Sequence, residues 1–104
     1  MASPTSRSLA EMRKRGYLAQ VVEKTIPTTY IKKDLFGGID IVAISGVQKD
    51  TVGIQSTSYS NHSARRKKCN AEPMLDEWKK AGNRLVIHSW HKVKNRWQLR
   101  EEEI

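Results

Sequence analysis

The sequence predicts an α/β domain with elements in the order αβββαββ, a mixed central sheet flanked by helices. Three observations predict it. The apolar, β-branched stretch Phe36 to Ile44 and the stretch Thr51 to Ser58 flank the turn-like Ser45 to Asp50 and read as one hairpin. Met74, Leu75, Trp78 and Ala81 recur at helical spacing after Pro73. Two more strand-like runs, Arg84 to Trp90 and Arg96 to Arg100, follow that helix. Strands interrupted by helices favour a sheet covered on its faces.

The elements follow in order. Ser3 is a helix N-cap and Pro4 suits the first helical position. Leu9 and Met12 form a thin apolar stripe. Arg13, Lys14 and Arg15 occupy the last turn, where cations complement the helix dipole, and Gly16 ends it. Tyr17 to Glu23 reads as a strand. Ile26 to Asp34 has no period and is expected to be a loop, and Gly37-Gly38 a turn. Ser60 or Asn61 caps a helix through Arg65 to Lys68. Pro73 starts the next helix and Gly82 ends it. Arg96 to Arg100 alternates as an edge strand, and Glu101 to Glu103 reads as a frayed acidic tail. At 104 residues the chain, 1–104, forms a single domain with one core.

Composition narrows the partners. The net charge of +8 favours a polyanion such as DNA. The run Arg65, Arg66, Lys67, Lys68 supplies phosphate contacts along a duplex, or else a solvated basic helix face. The single cysteine, Cys69, permits no internal disulfide and fits a reducing, cytoplasmic setting. No apolar run approaches the ~18 residues of a membrane span. No small-molecule cofactor is indicated. Trp78, Trp90 and Trp97 read as core or interface residues.

The hairpin carries the chemistry. If Ile44 pairs with Thr51, Asp40 falls opposite Gln55, and Thr57 shares their face. A lone carboxylate on an apolar strand needs a partner or a metal, because burying a charge is costly. The structural alternative is an ion pair with Lys32 or Lys33.

An Asp on the first strand of a hairpin and a polar tripeptide, Gln55-Ser56-Thr57, on the second resembles the core of the PD-(D/E)XK nuclease superfamily. The element order from about Leu9 to Arg100 is similar to that of the archaeal-type Holliday junction resolvases. The resemblance implies a restriction-endonuclease-like fold and metal-dependent hydrolysis of DNA phosphodiesters. A duplex or flap nuclease of VRR type, or a non-catalytic DNA-binding module, is the alternative. It implies Mg²⁺ or Mn²⁺ held by Asp40 and Gln55, with Glu23 or Asp34 assisting. It also implies a homodimer acting on branched DNA in recombination, in a phage or mobile-element setting. The departure is Thr57, which stands where the family has a catalytic Lys. A hydroxyl orients water but carries no charge. Lys33, His62 and Arg65 are the candidates to supply the missing cation, and Lys33, His62 and Arg65 to Lys68 the candidates to hold DNA.

Overall fold

The computed structural model describes residues 3–28 and 31–104. Its elements are α1 (Pro4–Lys14), β1 (Leu18–Val21), β2 (Lys24–Ile26), β3 (Ile31–Lys33), β4 (Ile41–Ser45), β5 (Asp50–Ser58), a 3-10 turn (Tyr59–Asn61), α2 (His62–Asn70), α3 (Pro73–Lys80), β6 (Arg84–Val93) and β7 (Arg96–Glu103). The fold is α/β: a five-stranded sheet in the order β1-β4-β5-β6-β7, with three helices among the described residues. Only the β5–β6 pair is parallel, so the sheet is mixed. None of the described helices is long and apolar enough to cross a membrane.

Local signals account for the helix ends. Ser3 caps α1 by accepting the Ser6 N–H at 3.1 Å, with Pro4 in the first turn. Gly16 and Gly82 follow α1 and α3 at φ of +92° and +94°, the left-handed geometry that glycine adopts without a Cβ penalty. Asn61 does not cap α2 through its side chain. Its amide instead donates to Ser58 Oγ at 3.0 Å.

Side chains within β4, β5 and β6 alternate between two covered faces, and Ile39, ahead of the bend at Asp40, falls on the face opposite Ile41. On one face Ile41, Ala43, Val52, Ile54 and Val86 pack against Met12 of α1 and Tyr17 just beyond it. On the other, Ile39, Leu75 and Leu85 pack with Cys69 of α2 and Trp78 of α3. Ile44 pairs with Thr51 as expected, and the hairpin register runs from Ile41↔Ile54 to Ser45↔Asp50.

Two expectations are corrected. The segment expected as a loop contains a small hairpin, β2 with β3, outside the main sheet. Three-residue strands are too short to leave a period in the sequence. The glutamates expected to fray instead close the sheet. β7 extends to Glu103, and Glu101, Glu102 and Glu103 receive hydrogen bonds or ion pairs from His88, His62 with Arg66, and Arg84. Arg84 also reaches Asp50 at 2.7 Å, tying β7 back to β5.

That acidic clasp sets an acid limit. His88 and Arg15 hold Glu101 down at about 2, and His62 and Arg66 lower Glu102. A carboxylate with a depressed folded pKa contributes stability that is present above its ordinary pKa, near 4.5, and lost as pH falls towards the folded value. Thermal unfolding midpoints should therefore fall between about pH 5 and pH 2, and Glu101→Gln should flatten that fall. An unchanged slope in the variant would remove Glu101 from the clasp.

Candidate metal centre and nucleic-acid interface

The site lies where β5 outruns β4. β4 begins at Ile41, opposite Ile54, whereas β5 continues to Ser58 paired with β6 alone. The β4 side of Ser56, Thr57 and Ser58 is therefore an open notch in the sheet, and edge N–H groups there need other partners. Asp40 fills the first position beyond β4. Its N–H donates to the Ile54 carbonyl at 2.8 Å, which continues the ladder by one residue. Its Oδ2 accepts the Ser56 N–H at 2.8 Å and the Gln55 Nε2–H at 2.7 Å. The expected Asp40–Gln55 pairing is present, and both side chains are buried.

Neighbouring elements add two carboxylates. The Val22 N–H donates to the Asp40 carbonyl at 2.8 Å, which carries the β1 pairing past Val21 and sets Glu23 beside Asp40. Leu35 and Ile39 exchange backbone hydrogen bonds, both 2.9 Å, across a tight turn that folds Asp34 back onto Asp40. Phe36 at φ +53° and Gly37 at +79° make the reversal. Oxygens of Glu23, Asp34 and Asp40 all lie within 4.8 Å of one another. Both acids considered as the assisting group are therefore present.

These charges perturb Asp40 strongly. Burial, then a hydrogen bond with Asp34, then repulsion by Asp34 and Glu23 push its carboxyl up to about 8. Gln55 has a matching peculiarity. Its amide NH₂ faces Asp40, while its buried Oε1 has no hydrogen-bond partner among the described residues. A half-turn of the amide exchanges the two atoms and sets an oxygen beside Asp40. Three carboxylates and one amide oxygen form an all-oxygen donor set of the kind that suits Mg²⁺ or Mn²⁺. Like-charge crowding and a raised Asp40 are both relieved by a cation at this point, so the residues fit the metal that the resemblance implies.

Cations surround the carboxylates in a cleft of about 440 Å³ lined by Asp40, Gln55, Thr57, Arg65 and Lys68 together with the first residues of α1. Lys68 Nζ stands 4.0 Å from Asp34. Arg65 and Lys68 are three apart on α2 and share its notch-facing side. The rest of the proposed DNA-binding set divides. Arg66 turns away to pair with Glu102 at 2.9 Å, Lys67 is exposed on that same outer side, and Lys33 is exposed on β3. The Lys32 side chain lies outside the described residues.

His62 does not join the cleft. It is buried, with Nδ1 2.7 Å from Ser89 Oγ and Nε2 2.7 Å from Glu102. As the first residue of α2 it points under the helix towards β6 and β7. Lys68 is the functional candidate that reading the run as a block left unresolved, and its spacing from Arg65 is the signal.

The family models, the curated proteins and the solved structures each yield no match to this chain. The site therefore stands on its geometry. A raised folded pKa makes Asp40's contribution to stability full below about pH 3.8 and lost as pH rises to about 8. At pH 8 without divalent ions, Asp40→Asn should unfold at a higher temperature than the parent. A gain of about 1 kcal/mol corresponds to roughly 4–8 °C, and it should vanish below about pH 4. Mn²⁺ should raise the parent's midpoint and leave the variant's unchanged. Calorimetry with and without Mn²⁺ checks both; equal responses of the two proteins would remove Asp40 from a metal centre.

Proposed function

We propose that this protein is a divalent-cation-dependent endodeoxyribonuclease that hydrolyses DNA phosphodiesters, with branched DNA as its substrate class. One observation carries the reading: a cluster of hard oxygen donors and a pair of cations, Arg65 and Lys68, meet in one open cleft at the sheet edge. Acidic clusters alone are common, and so are basic helices. Their meeting in one cleft, on a chain with net charge +8, is what phosphodiester hydrolysis requires.

Glu23, Asp34, Asp40 and Gln55 would hold the cation. Bound there, it would polarise the phosphate and lower the pKa of a water molecule. Arg65 and Lys68 hold phosphate oxygens and offset charge that grows in the transition state. Together they take over the charge of the lysine that Thr57 replaces. Thr57 is buried and lines the cleft, where its hydroxyl would orient a water or a phosphate oxygen. Exposed Lys33 and Lys67 add non-specific backbone attraction. Arg66, committed to Glu102, contributes to folding.

Cleavage of a four-way junction, a flap, a duplex and a single strand with Mg²⁺ or Mn²⁺ tests the assignment. Arg65→Ala and Lys68→Ala should each lower kcat by roughly 10²-fold, whereas Arg66→Ala should lower stability and spare kcat. Thr57→Lys should also lower activity, because its ammonium enters space already held by two cations. A rise in Thr57→Lys would show a vacant lysine position. Failure of the parent to cut any substrate, with salt-dependent DNA binding retained, would favour the non-catalytic module, which the Thr at the lysine position favours.

A further inference from the structure

On the α1 side of the notch lies a row of polar side chains that the proposed chemistry leaves unused. The registers align Ser56, His88 and Glu101 across β5, β6 and β7. Ser8 descends from α1 onto this row, and both Ser8 and His88 are fully buried. Ser8 Oγ contacts Ser56 Oγ, His88 Nδ1 at 3.0 Å and Trp90 Nε1 at 2.9 Å. His88 Nε2 lies 2.7 Å from Glu101 Oε2, which also accepts from Arg15 at 2.8 Å. The charged groups facing His88 are thus Glu101 from β7 and Arg15 beyond α1, with Glu11 of α1 paired behind Arg15. β5 presents the uncharged Ser56.

Counting protons gives this row a direction. A hydroxyl has one hydrogen and two lone pairs, an indole N–H only donates, and a carboxylate only accepts. The neutral His88 ring therefore donates Nε2–H to Glu101 and accepts at Nδ1. Ser8 gives its only hydrogen to Nδ1 and accepts from Trp90 and Ser56. Ser56, a residue that also lines the cleft, is left with its lone pairs unused by this row. Adding one proton to His88 reverses both hydroxyls. Nδ1–H then donates to Ser8, Ser8 donates to Ser56, and the Ser56 O–H points to the cleft. The two arrangements differ by a single proton that has crossed from the cleft to the imidazole.

We infer that Ser56, Ser8 and His88 form a proton relay out of the cleft, with His88 as the acceptor and Glu101 stabilising the imidazolium. This rests on the hydrolytic reading above. As the attacking water's oxygen bonds to phosphorus, one of its O–H bonds breaks and that proton goes to Ser56 Oγ. Ser56 passes its own proton to Ser8, and Ser8 passes its own to His88 Nδ1. The departing sugar oxygen leaves with the P–O electron pair and takes a proton from solvent. Once the product has left, the extra proton returns from Nδ1 along Ser8 and Ser56 to water in the cleft, which restores the Nε2–H ring. No oxidation state changes. His88 acts through two serines and never touches DNA, so it is a positioning residue.

Two measurements test the relay. Nitrogen NMR of His88 in the parent protein needs neither substrate nor variant. The neutral ring should carry its proton on Nε2; a proton on Nδ1 would point Ser8 the other way and overturn the relay. The second is the pH–rate profile of Mn²⁺-dependent DNA cleavage by the parent, Ser56→Ala and His88→Gln. Ser56→Ala keeps the backbone N–H on Asp40 and breaks only the hydroxyl chain. The parent rate should rise with the His88 deprotonation seen by NMR. Both variants should lose that limb and about tenfold or more in kcat, with Mn²⁺ affinity unchanged. Should His88→Gln fail to fold, Ser56→Ala decides. Variants that bind Mn²⁺ and reproduce the parent's rate and profile would refute the relay while leaving the nuclease assignment intact. An inactive parent would instead refute the nuclease assignment, and the relay with it.

Discussion

The burial of Asp40 at the open edge of β5 is the constraint on which the rest of the site depends. A carboxylate removed from water must be met by donors, a proton or a cation. The sheet supplies two donors, the Ser56 N–H and the Gln55 amide, because β4 stops short and leaves that edge of β5 unpaired. It then sets two more acids against the same carboxylate, Glu23 from the end of β1 and Asp34 from the tight turn. Donors favour the ionised form and neighbouring acids oppose it; burial and the acids win, and Asp40 titrates far above an ordinary aspartate. Perturbed carboxylates of this kind concentrate at functional sites, and a hard divalent cation bound among the three acids would offset their mutual repulsion.

Helix α2 divides its charge by the same geometry. Successive residues on a helix turn by about 100°, so four adjacent cations cannot serve one surface. Arg65 and Lys68 face the acids in the cleft, while Arg66 turns to Glu102. The net charge of +8 is therefore not one uniform patch. One part offsets the carboxylates, one part holds the last strand, and the remainder is exposed to solvent.

The far edge of the sheet has its own logic. β7 would be a solvent-facing strand with little to hold it, since most of its side chains are exposed. Its glutamates alternate between the two faces, and each face offers a buried histidine, His88 towards α1 and His62 under α2. A polar row thus runs from the closing strand to the notch. It fixes the height at which α1 sits over the cleft, through Ser8 and Ser56.

What the sequence by itself determined is local. The two apolar stretches Phe36 to Ile44 and Thr51 to Ser58, closed by the turn from Ser45 to Asp50, set the hairpin register, because the length of the turn pairs Ile44 with Thr51. That register placed Asp40 against Gln55. Ser3, Pro4, Gly16 and Gly82 marked helix ends because capping depends on a few adjacent residues. Only the tertiary structure decided what depends on meetings between distant segments. His62 looked like a helix-start residue near the tripeptide, and its partners lie 27 and 40 residues away. The terminal glutamates looked solvated because nothing near them in the chain could hold them; Glu101 finds Arg15 across 86 residues. Arg65, Arg66, Lys67 and Lys68 were indistinguishable as a run, since their roles follow from which side of α2 meets the notch. Turn length and capping are carried by neighbours in the chain and can be read there, whereas a buried charge takes its partners from whatever the packed sheet brings alongside it.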